Sequence, residues 1–247
     1  MLKLTLTLVV VVMSLLTGRI ALQAKPQRRL RPALGVGEAF AAGVFLGAGL
    51  IHMLGDADAA FVMQGIDFPF APMICGVVML ALLWIEHLGQ RPDQQVGHQA
   101  AVLPLTALAM LSVHSVLMGA AFGITTSLSI AMAVFIAVLA HKGAASFALG
   151  LELARSGVEA KKQWRWFLVF VSAYPLGVAL GQAVGHFTGA HLLVEASFSA
   201  VAAGTFLFFG TLHGLALSPM IARCCNPREF LGAMLGFALM ALVAIWT

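Results

Sequence analysis

The chain of 247 residues is 61% hydrophobic and only 10% charged, and its mean hydropathy is strongly positive at +0.97. This composition excludes a soluble globular domain and is typical of a protein that crosses a membrane several times. Apolar segments use nearly the whole chain, so we expect a single integral membrane domain over residues 1–247 with no soluble domain. The basic net charge of +4 does not indicate nucleic-acid binding, because the basic residues follow a membrane-topology pattern.

Eight segments are long and apolar enough to be predicted as membrane spans. Backbone groups in lipid must be paired within each segment, so we expect every span to be an α-helix and the fold class to be all-α. The spans are approximately residues 4–22, 34–55, 69–87, 101–123, 126–150, 165–184, 194–216 and 229–246.

The first segment resembles a secretory signal, with a basic start and a small-residue end, ALQA. The basic run KPQRRLRP follows it at residues 25–32. Because a run of positive charge resists translocation, we favour a retained first span over a cleaved signal.

The lysines and arginines are distributed unevenly between the two sides of the predicted membrane. Every one except Lys3 and Lys142 lies on the same set of alternate loops. The positive-inside rule places these loops in the cytoplasm and both termini outside it. We expect the membrane to be the plasma (inner) membrane. The opposite loops have an acidic bias that attracts cations, with Asp56, Asp58, Asp67 and Glu195.

The second and seventh spans align without gaps. AAGVFLGAGLIHML at residues 41–54 matches AAGTFLFFGTLHGL at residues 202–215. The two spans run in opposite directions, so the match predicts an inverted repeat of spans 1–3 and 6–8 around spans 4 and 5, a 3+2+3 arrangement typical of secondary transporters. Chance similarity between helices rich in Ala, Gly and Leu is the alternative. His52 shares a helix face with Asp56 and predicts a cation site at the entrance, while His213 lies at the exit end.

The fourth and fifth spans each carry a histidine at similar depth, His114 and His141. Ionisable groups in a membrane normally face the bundle interior and mark an ion path, and imidazole is a common ligand of transition metals. We therefore predict a metal site formed by these histidines with Ser115, the thioether of Met118 and water. Hydrogen-bonded packing between helices is the alternative. Lys142 either repels or replaces a second metal ion, or it snorkels to the membrane surface or pairs with a backbone carbonyl.

These patterns together resemble the ZIP (Zrt/Irt-like) family of metal transporters, in the branch with His-Ser in span 4 and His-Lys in span 5. The likeness rests on GVFLGAGLIHMLGDA, HSVLMGAAFG, HKGAASFALG, YPLGVALG and AGTFLFFGTLHGL. The resemblance implies an eight-helix bundle, commonly a homodimer, that carries a divalent metal ion toward the cytoplasm. Zinc is the expected cargo, and iron or manganese are the alternatives. It also implies that His114, Ser115 and His141 occupy metal positions and that His52 and Asp56 form the entrance pair.

The sequence departs from the family pattern at three candidate positions. Met118 replaces a metal-binding Glu, His213 stands where span 7 usually has an acid, and Ala145 stands where many members have an acid or a histidine. These changes keep open a second hypothesis, a ZIP-like membrane protein that binds metal or a partner without transport. An intramembrane metalloenzyme is disfavoured because no carboxylate beside the histidines is available as a general base. We therefore expect no enzyme activity, no catalytic residue and no prosthetic group.

Overall fold

The computed structural model describes residues 2–23, 31–89, 96–125, 128–184, 191–213 and 227–245. Within these ranges all regular structure is helical. The helical segments form eight continuous helices, which overlap the eight predicted spans. Six of them are α1 Leu2–Gln23, α3 Phe70–Gly89, α4 Val96–Ile124, α5 Leu128–Arg155, α6 Ala160–Val184 and α8 Pro227–Val243. The other two, α2 at residues 31–63 and α7 at residues 191–213, each contain a π-helical turn.

The π-helical turns lie in the two segments that align in the sequence. In α2 the α-helix Arg31–Gly47 passes through the turn Ala48–Met53 into Leu54–Met63, and in α7 the α-helix His191–Leu207 passes into the turn Phe208–His213. Such turns are rare and occur frequently at functional sites. The two related segments therefore share an uncommon local structure as well as a residue pattern.

By length and composition, six helical stretches in the described part of the chain are sufficient to cross a membrane. A shorter apolar stretch, Ala196–Leu212, belongs to α7, and α8 has 17 residues. The prediction of an all-helical, polytopic fold is confirmed. The six stretches are Leu2–Gln23, Leu34–Met63, Phe70–Leu88, Pro104–Ile124, Ala131–Arg155 and Ala160–Ala183.

The helices form two compact units. The first unit, residues 1–34 and 84–183, contains α1, α4, α5 and α6, and the second unit, residues 35–83 and 184–247, contains α2, α3, α7 and α8. Contacts within the chain thus group the helices differently from the triplets that are consecutive in sequence. The single transporter domain stays a prediction.

The first span is an integral part of the first unit. Val10 is fully buried in an apolar cluster, which we call the Phe122 cluster. The Lys3 ammonium donates to the carbonyl oxygens of Gly123 (2.7 Å) and Thr125 at the end of α4. These contacts make α1 part of the packed interior of the first unit, and retention of the first span stays a prediction. The Phe122 cluster comprises Val10, Phe122, Ala131, Phe135, Val138, Tyr174 and Val178.

Glycines bring the helices of the first unit into close contact. Gly119 and Gly123 on α4 form a GxxxG motif that packs on α6: a methyl group at Gly119 would overlap the carbonyl oxygen of Tyr174. The α5 glycines contact α1 instead, since Gly150 lies against the backbone of Gly18. All faces of a membrane helix are apolar, so the motif predicts a close helix–helix contact but does not indicate which helix is the neighbour.

The second unit contains reciprocal contacts between the aligned parts of α2 and α7. A methyl group at Gly49 would lie against Ala203 and Leu207, and a methyl group at Gly210 would lie against Ala42 and Leu46, the residues equivalent to those two in the alignment. The equivalent residues Phe45 and Phe206 contact each other, with ring centroids 4.9 Å apart. The related segments thus pack against each other through matching positions.

The third and eighth spans also match weakly in sequence, with Gly76, Ala81, Leu82 and Ile85 aligned to Gly236, Ala241, Leu242 and Ile245. This weaker match is not accompanied by matching contacts. A methyl group at Gly76 on α3 would meet no atom within 4 Å, whereas the equivalent Gly236 on α8 packs on the backbone of Phe40. These two aligned glycines therefore have different surroundings.

Candidate metal centre

Helix geometry brings the two central histidines to the same level. His114 lies ten residues before the end of α4 at Ile124, and His141 lies thirteen residues after the start of α5 at Leu128. A short connection makes neighbouring helices antiparallel, and a rise of about 1.5 Å per residue places both side chains roughly 15–20 Å from that connection. The prediction that they lie at similar depth agrees with these helix bounds.

The two imidazoles face each other in the interior of the first unit. The Nε2 atoms of His114 and His141 are 3.4 Å apart, and the ring centroids are 5.5 Å apart with an interplanar angle of 53°. The two residues are only 7% and 1% exposed. Two nitrogen atoms therefore meet in a site shielded from lipid and water.

Lys142 is buried beside the histidine pair, with 3% exposure. Its ammonium donates a hydrogen bond to Ser115 Oγ at 2.5 Å and lies 3.7 Å from the centroid of the Phe170 ring. Ser115 Oγ in turn donates to the carbonyl oxygen of Leu111 at 2.6 Å. The acceptor for the Lys142 ammonium is thus the hydroxyl of Ser115 and not a backbone carbonyl, which was one of the predicted partners.

The remaining predicted ligand on α4 lies in apolar surroundings. Met118 is partly buried and packs against the Phe122 cluster. On α5, Ala145 is buried and supplies no ligand atom. Within the described ranges, no three or more His, Cys, Asp and Glu side chains are grouped closely enough to hold a metal ion. The histidine pair thus stands without a carboxylate in that part of the chain.

The predicted entrance pair lies in the second unit. His52 Nδ1 is 3.3 Å from Asp56 Oδ2, and the side chains are 13% and 64% exposed. His52 belongs to the π-helical turn of α2, and Asp56 lies in the first turn of the following α-helix. The structure therefore brings these two residues together, with the carboxylate accessible to cations.

His213 is the last residue of the π-helical turn that ends the described part of α7. Its side chain lies outside the described structure, so its role at the exit stays a prediction. The aligned histidine, His52, also lies in a π-helical turn.

Phe170 is the neighbour of the site that the sequence does not indicate. It is fully buried and belongs to the aromatic-rich segment WRWFLVF of α6, 28 residues after Lys142. Aromatic residues in such a segment contact lipid, core or interface equally well, so no local signal distinguishes the one that meets the ammonium.

Comparison with known proteins identifies the family. The family model for the ZIP Zinc transporter matches residues 87–244. The chain belongs to the ZIP zinc transporter family. It is similar to human zinc transporter ZIP2, with 29% identity over 269 aligned residues that cover 83% of this chain and 83% of that protein. It is also similar to mouse zinc transporter ZIP2, with 28% identity and 83% coverage of both chains, and to human zinc transporter ZIP1, with 27% identity over 73% of this chain and 69% of that protein.

Membership of the ZIP family confirms the resemblance drawn from the sequence motifs. The match includes α4, α5 and α6, which carry the histidine pair, Lys142 and Phe170. The ZIP chain is therefore an integral membrane protein of a family of transporters rather than enzymes. The particular branch, with His-Ser in span 4 and His-Lys in span 5, stays a prediction.

Proposed function

We propose that this ZIP protein carries a divalent metal ion, zinc, across the membrane toward the cytoplasm through a site at His114 and His141. The observation that carries the proposal is the separation of 3.4 Å between their Nε2 atoms. Two nitrogen ligands about 2.0–2.1 Å from a tetrahedral zinc ion lie roughly 3.3–3.4 Å from each other. The distance between the two nitrogens therefore suits two of four zinc ligands.

The type of ligand also favours zinc over manganese. Neutral imidazole suits zinc, whereas manganese prefers carboxylate, carbonyl and water oxygens in an octahedral arrangement. The described part of the chain supplies no carboxylate group next to the two histidines. Zinc is thus the proposed cargo and is a substrate rather than a prosthetic group.

Water and two neighbouring side chains complete the proposed zinc site. Ser115 Oγ has one lone pair left after it accepts from Lys142 and donates to Leu111. Met118 lies one turn from His114 and packs against the Phe122 cluster, so its thioether is the less available of the two side chains. Water therefore supplies at least part of the coordination, which keeps the ion exchangeable, as transport requires.

The path that we propose runs from His52 and Asp56 at the entrance, through the histidine pair, to His213 at the exit. The exposed carboxylate of Asp56 attracts cations. We also propose the 3+2+3 inverted repeat, which is supported by the reciprocal packing of Gly49 and Gly210. Such repeats alternate access to a central site from the two sides of a membrane. The protein lies in the plasma membrane with both termini extracytoplasmic, and the working form is a homodimer.

A second candidate function is metal binding without transport. Met118 favours it, because this residue replaces the expected glutamate and packs against apolar side chains. Without that glutamate the site has fewer anionic ligands and holds a dication less strongly. A direct measurement of uptake therefore distinguishes binding from transport.

The test is zinc entry into liposomes that contain the purified protein. We expect saturable uptake for the wild type and loss of uptake for His114→Ala and His141→Ala, since each change removes one of the two paired nitrogens. His87→Ala is the matched control, because His87 is exposed at the end of α3. Uptake no greater than in empty liposomes, with zinc still bound to the protein, would instead support binding without transport.

A further inference from the structure

The charge of Lys142 is the feature of the site that the proposed function leaves unexplained. Lys142 directly follows His141, and its buried ammonium lies beside a site proposed for a dication. Two positive charges in a medium of low dielectric constant repel strongly when they approach. A zinc site at the histidine pair therefore requires the ammonium to be held at a defined place.

Two contacts hold the ammonium there. It donates to Ser115 Oγ at 2.5 Å, and it lies over the face of Phe170, 3.7 Å from the ring centroid. The face of an aromatic ring carries partial negative charge and attracts a cation, most strongly where water is excluded. Phe170 thus provides negative potential to the ammonium without providing a ligand to a metal ion.

The Phe170 ring is itself fixed by its neighbours. It is fully buried and contacts Phe167, with ring centroids 6.0 Å apart. The Phe167 ring in turn packs directly on the backbone of α1 at Gly18, where a methyl group would overlap it. Three helices of the first unit therefore determine where the ammonium lies.

We propose that Phe170, together with Ser115, is a receptor for the Lys142 ammonium that holds it out of the space between the two imidazoles. Phe170 is then a positioning residue that sets the affinity of the histidine pair for the ion without touching the ion. This inference rests on the proposed function, because it takes the histidine pair as the place where zinc binds.

The first experiment is a double-mutant cycle in the liposome assay. Loss of a desolvated cation–π contact in Phe170→Leu is expected to raise the KM for zinc by about five- to thirty-fold while the maximal rate changes little. Phe170→Tyr retains an aromatic ring and should keep a KM close to the wild-type value. In a Lys142→Met background, Phe170→Leu should have no further effect, because the charge that the ring positions is absent. An equal rise of KM in that background would overturn the proposal and assign Phe170 to packing alone.

A second experiment retains the shape of the ring, which removes the risk that a leucine variant fails to fold. Phenylalanine analogues with increasing numbers of ring fluorines are incorporated at position 170, since each fluorine weakens the negative face. We expect a stepwise rise of KM along the series, and a constant KM would overturn the proposal. Equilibrium zinc binding to the same purified proteins separates the role of Phe170 from the proposed transport. If the wild type takes up no zinc, the proposed transport is wrong. A graded change in zinc affinity along the series still tests the role of Phe170.

Discussion

At the scale of single residues, the first unit buries two imidazoles and an ammonium close together in its interior. A lysine at the centre of a bilayer costs about 2.5–3.5 kcal/mol on insertion scales. The hydrogen bond to Ser115 and the contact with Phe170 offset part of this cost. Ionisable residues that are buried in a membrane despite this cost usually mark a functional site. Here Lys142 is such a residue, and it lies next to the histidine pair.

Met118 gives a direct test of ligand chemistry at the site. Met118→Glu places a carboxylate one helical turn from His114, on the same face of α4. We expect the dissociation constant for zinc to fall several-fold, because an anionic oxygen replaces a weak thioether ligand and offsets the charge of the ion. Isothermal titration of the purified protein with zinc measures the change.

Met118→Gln is the control for this substitution, because it has nearly the same shape as glutamate without the charge. It should leave zinc affinity close to the wild-type value. An unchanged affinity in Met118→Glu would mean that the side chain remains in the Phe122 cluster and does not reach the ion.

At the scale of elements, glycines set the distance between α4 and α6. Gly119 and Gly123 on α4 face Gly177 and Gly181 on α6, and a methyl group at any of the four would overlap backbone atoms of the other helix. Small residues of this kind let membrane helices approach closely, and close packing drives their association in lipid. The α4–α6 contact thus supports the helix that carries His114.

Gly119→Ala and Gly177→Ala should each destabilise the protein. The added methyl group meets backbone, which cannot rotate away as a side chain does, so we expect a loss of roughly 1–3 kcal/mol, the usual range for overpacking. Thermal unfolding in detergent, followed by circular dichroism, measures it as a lower Tm.

Gly76→Ala in α3 is the matched control, since no atom lies within 4 Å of the position of its methyl group. Its Tm should equal or slightly exceed that of the wild type, because alanine has the higher helix propensity. Equal Tm values for the substitutions on α4, α6 and α3 would show that the α4–α6 contact is looser than described.

At the scale of the whole molecule, the direction of transport depends on topology. The distribution of lysine and arginine predicts that the segment between α2 and α3 lies outside and the segment between α5 and α6 inside. Asp67 is exposed in the first of these segments, and Lys161 is exposed in the first turn of α6, directly after the second, so the two residues report on the two sides.

Cysteines introduced at these positions test the orientation. In a background without the native cysteines, a membrane-impermeant thiol reagent added to intact cells should label Asp67→Cys, while Lys161→Cys should react only after permeabilisation. The reverse labelling pattern would place both termini in the cytoplasm and contradict the proposed direction of uptake.

The sequence by itself determined the helical fold, the helix positions and the histidine pair. The hydrocarbon thickness of a bilayer requires about 20 apolar residues per helix, so these properties can be read locally along the chain. The short connection between α4 and α5 then places His114 and His141 at one level, since depth in a helix is proportional to residue number.

Only the tertiary structure decided which helices are partners and which side chains surround the histidines. It grouped α1, α4, α5 and α6 in one unit, paired the glycines of α4 with α6 rather than α5, and placed Phe170 over Lys142. The physical reason is that lipid leaves a membrane helix apolar on every face, so hydrophobicity does not distinguish the face that meets a neighbour from the face that meets lipid. That choice depends on shape complementarity between segments far apart in the chain.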